Sequence, residues 1–184
     1  MSSCRVRLLD GDDPSIAPLA SHLASQRGGR LINLYRALLH APPVASAWLD
    51  FNTAIRYEGT LPAAIVELVI LRVAALTGAD YQFRAHGPAH ARKAGLSEPQ
   101  IEALRAQPSP ALFDAAQQAA IDCATEVTRD LEPSEATWQA LRAHFDERQQ
   151  VELVVLASAY NMHTRVARAL RLEQEGPSPA TPVT

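Results

Sequence analysis

Four residues near the middle of the chain have side chains suited to acid–base chemistry. Glu67 opens the apolar run ELVILRVAAL, and Tyr81, Gln82 and His86 lie in the following segment, TGADYQFRAHGPAH. A carboxylate left charged and alone in apolar surroundings is costly, so it finds a partner or keeps its proton to a higher pH. An imidazole titrates close to neutral pH. Together these residue types predict a site that transfers protons.

The helix that carries Glu67 is predicted over residues 62–76 and is apolar on nearly every side. Its only charged residues are Glu67 and Arg72. Residues three, four or seven positions from Glu67 share its face, and those that fall on this face are apolar. Two interpretations of Glu67 therefore remain open. It is either a partner in a structural ion pair or hydrogen bond, or a carboxyl group with a raised pKa that serves as general acid or base.

The following helix is predicted from Asp80 to Lys93 and follows a tight turn at Thr77-Gly78. Ala79, Gln82 and His86 have spacings of i, i+3 and i+7, so they lie on one face. The tight turn makes this helix the antiparallel neighbour of the Glu67 helix. Twelve residues, about three helical turns, separate Glu67 from Ala79. We therefore expect a bonded network or a water to connect Glu67 with the start of this helix.

The other segments also have helical periodicity, which predicts an all-α fold. Helices are expected at about 13–26, 30–41, 44–58, 97–107, 111–131, 134–145 and 146–173. Ser97 with Gln100, and Asp146 with Gln149, have the residue types and spacing of capping boxes. One stretch recurs, since ELVILRVAA at 67–75 is similar to ELVVLASAY at 152–160. This echo is either the ordinary pattern of a buried helix or a pseudo-repeated helical hairpin.

Composition is that of a globular protein with one core. The chain has 184 residues, 47% hydrophobic and 20% charged, with a net charge of −3 and a pI near 6.1. Neither a basic patch nor a membrane-spanning run is present, so nucleic acid and membrane partners are not expected. The N-terminus lacks the apolar region of a secretory signal. Cys4 and Cys123 form no disulfide framework, which predicts a reducing, cytoplasmic location.

The central segment resembles the carboxymuconolactone decarboxylase family, a helical superfamily that also holds the alkylhydroperoxidase D proteins. Redox members carry a glutamate twelve residues before a Cys-x-x-Cys-x-x-x-His segment. Glu67 falls on that glutamate and His86 on that histidine, while Ala79 and Gln82 fall on the two cysteines. Many relatives without the cysteine pair read Tyr-Glu-Trp where this chain reads YQF.

The resemblance covers about residues 30–172 and is strongest over 61–104. It implies an alkylhydroperoxidase D-like helical bundle that assembles as a homo-oligomer, commonly a dimer, trimer or hexamer. The expected organisation is an N-terminal segment with a short helix at 1–29, the family domain at 30–172, and a disordered tail at 173–184.

The missing cysteines change the chemistry that the resemblance implies. Reduction of peroxide by a dithiol needs a thiolate and a resolving thiol, and Cys123 lies in AAIDCATEV, a setting typical of a packed, inert thiol. What remains is a catalytic set without a cofactor. His86 would move a proton, Glu67 would orient it, and Tyr81 and Gln82 would hold a substrate oxygen. Decarboxylation, lactone opening or proton transfer on a small carbonyl or carboxylate compound would suit this set.

Two alternatives stay open at this point. The chain could be a catalytically retired binding or scaffold protein of the same fold. It could bind a metal through Glu67, His86 and His90, although Pro88 lies between the histidines.

Further residues with open roles are Arg72 and Arg84, which either pair with an acidic substrate or are solvated or paired with Glu. Trp48, Phe51 and Tyr57 could line the pocket or a subunit contact.

Overall fold

The computed structural model describes residues 4–106, 108–173 and 175, without the side chains of Tyr81, Ala85, Pro88 and Ala89. Within them the chain forms nine α-helices and no strand, which confirms the all-α prediction. The helices are α1 (Ala17–Ser25), α2 (Asn33–Leu38), α3 (Pro42–Tyr57), α4 (Ala63–Leu76), α5 (Asp80–His86), α6 (Glu98–Ala103), α7 (Ala115–Arg129), α8 (Glu135–His144) and α9 (Glu147–Leu170). A π-helical turn, Gly87–Ala91, continues α5, and a 3-10 turn, Pro110–Leu112, precedes α7.

Both predicted capping boxes are present. The Ser97 hydroxyl accepts from the backbone of Gln100, whose side chain accepts from the Ser97 backbone. At the start of α9, Asp146 Oδ1 accepts from the Gln149 backbone at 2.8 Å, and Gln149 Oε1 accepts from the Asp146 backbone at 3.2 Å. These reciprocal bonds satisfy backbone N–H groups that a helix start leaves open, and so fix where α6 and α9 begin.

Helices α1 and α7 start later than their periodicity predicts, and an aspartate explains each of these two differences. Asp13 Oδ1 accepts from the Ser15 backbone at 2.9 Å and from its hydroxyl at 2.7 Å, which forms a turn before α1. Asp114 makes a capping box with Gln117, so α7 begins after it. The side chain of an aspartate competes with the backbone at such positions.

The chain divides into two compact units. One consists of residues 1–52 together with 169–184, and the other of residues 53–168. Of the tail predicted at 173–184, only Glu173 and Glu175 lie among the described residues. None of the described helices combines the length and the apolar character needed to cross a membrane.

The core of the second unit forms where α4, α7 and α9 meet. Every residue from Ile65 to Ala74 is buried, and Val69, Ile70 and Val73 pack with α7 and α9 side chains that include Leu153 and Leu156. Burial on all sides explains why α4 is apolar around its whole circumference.

The two glutamates of the sequence echo differ in their contacts. Glu67 is buried in this core region with 6% exposure. Glu152 Oε2 accepts from the backbone N–H of Thr60 at 2.7 Å and of Leu61 at 3.2 Å, just before α4.

Helices α4 and α5 form the predicted antiparallel hairpin. Gly78 has a φ of +60°, a conformation that favours glycine. The Arg168 side chain donates to the carbonyl oxygens of Thr77 and Gly78 and thereby holds this turn. Glu67 lies eleven residues before Gly78 and His86 eight residues after it, so the hairpin brings both to a similar height.

Candidate active site

Glu67 and His86 are joined directly. His86 Nδ1 lies 2.9 Å from Oε2 of Glu67, and both side chains are largely buried. The Glu67 carboxylate can only accept, so Nδ1 carries the hydrogen and donates it. From the sequence we expected a bonded network or a water to connect Glu67 with the start of α5. His86 lies nearly two turns further along, where α5 passes the middle of α4, and no bridging group is needed.

Arg56, on the last turn of α3, is the third member of the site. Its Nη2 lies 3.3 Å from Oε1 of Glu67, and its side chain is 11% exposed. One carboxylate oxygen therefore faces a guanidinium and the other an imidazole. Sequence reasoning missed Arg56 because it lies eleven residues before Glu67, beyond the apolar run and its helical hairpin. A charged residue shortly before the Gly59 break is the signal that was available.

These contacts decide between the two interpretations of Glu67. Burial by itself raises the pKa of Glu67, but the hydrogen bond of His86 and the nearby positive charges, including Arg56, hold that pKa below its ordinary value. The interpretation of Glu67 as a carboxyl group with a raised pKa is therefore wrong. Glu67 is ionised at neutral pH and is fully engaged in an ion pair and a hydrogen bond.

His86 is neutral at neutral pH. Burial lowers the pKa of His86, and the positive charges of Arg56 and His90 act in the same direction, while the hydrogen bond and charge of Glu67 oppose them. With the hydrogen on Nδ1, the Nε2 atom of the ring carries the free electron pair. The pair of Glu67 and His86 is thus arranged as an oriented base.

Further rings extend from His86. Its ring centroid is 5.3 Å from that of His90 and 5.6 Å from that of Tyr160, which it meets edge-on. Tyr160 in turn stacks on His163 at 4.8 Å. Tyr160 and His163 lie on α9 and were not among the predicted site residues. The signal was the segment SAYNMHT, which begins in the second copy of the echo and extends past its end at Tyr160.

Gln82 and Tyr81 were both predicted to hold a substrate oxygen, and the structure describes the side chain of Gln82 alone of the two. Gln82 is buried, and its Nε2 donates to the carbonyl oxygen of His163 at 3.5 Å rather than to Glu67 or His86. Its Oε1 is buried without a hydrogen-bond partner among the described residues. The side chain of Tyr81 lies outside the described part of the chain, so its predicted role stays a prediction.

Neither of the two arginines considered for an acidic substrate forms an ion pair with Glu67 among the described contacts. Arg72 donates to Thr125 Oγ1 at 2.9 Å and to the carbonyl oxygens of Leu104 and Ala106 at 3.1 and 2.5 Å. Arg84 is exposed. The cation that pairs with Glu67 is Arg56 instead.

The aromatic residues of α3 have different exposure. Trp48 is 8% exposed, whereas Phe51 and Tyr57 are 37% and 59% exposed. Arg56 lies over the Tyr57 ring at 4.9 Å, which joins Tyr57 to the site. Whether any of them forms a subunit contact stays a prediction.

The metal alternative has no support in the geometry. Among the described side chains, no group of three or more His, Cys, Asp or Glu residues is placed to hold a metal ion. Oε2 of Glu67 is directed at Nδ1 of His86, and His90 is exposed on the π-helical turn.

Cys123 has the environment predicted for an inert thiol. It is completely buried in the core formed by α4, α7 and α9. Burial, with a smaller contribution from Glu126, raises its pKa to about 12. A thiol that is neither exposed nor ionised is a poor nucleophile.

Comparison with known families agrees with the resemblance in the sequence. Residues 42–126 match the sequence model of the "Carboxymuconolactone decarboxylase family". This segment contains Arg56, Glu67 and His86. No curated protein sequence matches the chain.

Solved structures of low sequence identity share the fold. An uncharacterized peroxidase-related protein from Silicibacter sp. TM1040 aligns with a TM-score of 0.79 at 21% identity, covering 94% of this chain and 92% of that one. An alkylhydroperoxidase AhpD core protein from Ralstonia eutropha JMP134, also uncharacterized and peroxidase-related, gives 0.79 at 20% identity with the same coverage. A variant of the debrominase Bmp8 in complex with 2,3,4-tribromopyrrole gives 0.75 at 16% identity, covering 94% of each chain.

Proposed function

We propose that the chain is a cofactor-independent acid–base enzyme acting on a small carbonyl or carboxylate compound, and the match of residues 42–126 to the carboxymuconolactone decarboxylase family model supports this proposal. The observation that carries this proposal is the 2.9 Å hydrogen bond between His86 Nδ1 and Glu67 Oε2. It fixes the tautomer in which Nε2 is the basic atom.

In the proposed reaction, His86 Nε2 removes a proton from the carbon next to a carbonyl group. The ring becomes an imidazolium, whose new charge Glu67 stabilises through the hydrogen bond at Nδ1. The electron pair of the broken C–H bond passes to the carbonyl oxygen as an enolate, and the imidazolium then returns the proton at another position. Arg56 keeps Glu67 ionised throughout, because a protonated carboxyl group would not stabilise the imidazolium.

The charge state of His86 favours some reactions within this class. A neutral imidazole serves a reaction that begins with removal of a proton, or with activation of water for lactone opening. A decarboxylation would require His86 first to take up a proton from solvent at Nε2, which it would then pass to the carbanion that loss of carbon dioxide leaves. Peroxide reduction by a dithiol is not proposed, since the two cysteines of the chain are Cys4 and the buried Cys123.

The test is exchange of substrate protons with deuterium oxide, followed by proton NMR across a panel of β-keto acids and lactones. This readout detects proton transfer before the product is known. We expect the wild type to accelerate exchange for at least one compound, and His86→Gln to lower that rate at least about 100-fold. His144→Gln replaces an exposed histidine of the same unit and should leave the rate unchanged. If His86→Gln exchanges as fast as the wild type, His86 is not the base.

A second candidate function is an oligomeric binding protein that has lost catalysis. The observation that favours it is the complete engagement of the Glu67 carboxylate by Arg56 and His86, which is also what a structural ion pair requires. In that case no compound in the panel would exchange, and His86→Gln would affect only stability. Light scattering of the purified chain tests the homo-oligomer that both candidates predict.

A further inference from the structure

A polar cleft lies on the other side of α4 from Glu67. Arg72 follows Glu67 by five residues, which turns its side chain by about 140° around the helix axis. The cleft has a volume of about 740 Å³ and is formed by α4, α7 and the segment between α6 and α7. This volume lies within the range of about 300–1,000 Å³ that small-molecule sites occupy.

Positive charge predominates in this cleft. Arg72, Arg105 and Arg129 line it, and Asp122 is the single acidic residue among its described lining. Asp122 is partly engaged, since Gln118 Nε2 donates to its Oδ1 at 2.9 Å. Nε of Arg105 lies 3.5 Å from Oε2 of the exposed Glu102. No described carboxylate lies within ion-pair distance of Arg72 or Arg129, and the negative charge that acts on Arg72 across the cleft is that of Asp122. Three arginines against one aspartate leave the described lining with an excess of positive charge.

Arg72 is held in place with donors to spare. Its Nε donates to Thr125, and its Nη1 donates to two carbonyl oxygens, so three of its five N–H groups could be occupied. Nη2 has no hydrogen-bond partner among the described residues. The group is buried, yet it borders the cleft. A guanidinium fixed in this way is pre-organised for a planar carboxylate.

Beside the charged residues and the polar Gln118 and Thr125, the described lining consists of alanine, leucine, isoleucine and proline, namely Ala75, Leu76, Ala106, Pro108, Pro110 and Ile121. A fully hydrated inorganic anion would gain no hydrophobic stabilisation from these apolar side chains. A carboxylate attached to an apolar body would satisfy both the arginines and the walls.

We propose that this cleft is a second binding site, independent of Glu67 and His86, for a small organic acid with an apolar body. Its carboxylate is bound by Arg72 and Arg129, and its body packs against Leu76 and Ile121. The bound acid would contact α4, α7 and the segment after α6. Of these elements only α4 also belongs to the Glu67–His86 site.

The experiment is a titration of the intact protein with benzoate, observed by two-dimensional NMR of backbone amides and arginine side chains. Benzamide, which has the same body without the charge, is the ligand control, and inorganic phosphate tests the need for that body. We expect saturable shifts with benzoate around Ala75, Ile121 and Arg129, and binding at least about tenfold weaker for benzamide and for phosphate.

Variants test the location. Arg129→Gln should weaken benzoate binding at least about tenfold, because the side chain of Arg129 makes no hydrogen bond or ion pair with other described residues and supplies only charge and donors to the ligand. Arg142→Gln removes an exposed arginine of α8 in the same unit and should bind as the wild type does. His86→Gln should also bind normally, since the cleft does not depend on the proposed catalytic pair.

Three results would overturn the proposal. They are unsaturable or absent shifts with benzoate, equal affinity for inorganic phosphate, and unchanged affinity in Arg129→Gln. Loss of binding in His86→Gln would show that the two sites are not separate. A negative result in the deuterium exchange assay would, in contrast, not contradict the proposed site in this cleft.

Discussion

Glu67 and His86 share a 2.9 Å hydrogen bond between Oε2 and Nδ1 in nearly complete burial, and each keeps the other in one protonation state. The carboxylate accepts the Nδ1 hydrogen, so the ring has its basic nitrogen at Nε2. The imidazole and Arg56 together hold the carboxylate ionised. A neutral imidazole, an ionised carboxylate and a guanidinium sum to no net charge, which is how the apolar surround of α4 accommodates three titratable side chains.

The first prediction concerns the stability of the protein in mild acid. Burial holds the pKa of folded His86 below its ordinary 6.5. As the pH falls through 6.5, the unfolded chain takes up a proton that folded His86 refuses, so the free energy of unfolding decreases. This contribution is fully present above 6.5 and is lost as the pH falls to the folded pKa. Urea unfolding at pH 7.5 and 5.5 should show a smaller decrease in His86→Gln than in the wild type.

The same sign applies to Glu67, but at lower pH. Its folded pKa lies below the ordinary 4.5, so its contribution is present above 4.5 and lost as the pH falls through the folded value. The window between pH 7.5 and 5.5 therefore isolates the histidine. His144→Gln, at an exposed position, should lose as much stability in this window as the wild type. An equal decrease in His86→Gln and wild type would contradict the buried, neutral imidazole.

The second prediction is that two substitutions move the pKa of His86 in opposite directions. Glu67 raises this pKa through its hydrogen bond and charge, so Glu67→Gln should lower it. Arg56 lowers it through its positive charge, so Arg56→Met should raise it. Titration of the His86 ring by NMR measures both. Arg148→Met provides the control, since Arg148 pairs with Glu152 and should leave the pKa of His86 unchanged. Shifts of the same sign would rule out this arrangement of charges.

The third prediction compares the two glutamates of the sequence echo. Glu67→Ala leaves Arg56 and His86 buried without their shared acceptor, and we expect the free energy of unfolding to fall by about 3–5 kcal/mol. Glu152→Ala removes a more exposed carboxylate that accepts from the backbone ahead of α4, and we expect a loss of about 1–2 kcal/mol. Chemical denaturation of both variants gives the comparison. Equal losses would mean that burial does not distinguish the two glutamates.

Local rules were enough to predict much of this fold. The capping boxes at Ser97 and Asp146, the break at Gly78 and the apolar circumference of α4 each depend on neighbours in sequence. The late starts of α1 and α7 were missed because the side chain of an aspartate can either cap a helix or form a turn, and periodicity does not record which.

The site was predictable only in part. Glu67 and His86 lie on consecutive helices of one hairpin, so their meeting follows from helix lengths around one turn. Arg56 comes from another helix, and Tyr160 from α9, which approaches the site only through the packing of the core. The direction of the Glu67 pKa could not be deduced from the sequence, because burial raises it while the hydrogen bond of His86 and the charge of Arg56 lower it, and neither contact was known.

The final prediction concerns the thiols. With a pKa of about 12, roughly one Cys123 thiol in ten thousand is ionised at pH 8, and the side chain is completely buried. Iodoacetamide should therefore not modify the folded Cys4→Ser variant at pH 8, whereas the same variant in guanidinium chloride should take up one label, as measured by intact mass. Hydrogen peroxide should likewise not be consumed with a dithiol reductant, and Cys123→Ser should not alter that result. Rapid labelling of the folded variant, or peroxide turnover that depends on Cys123, would contradict the prediction that Cys123 is an inert, buried thiol.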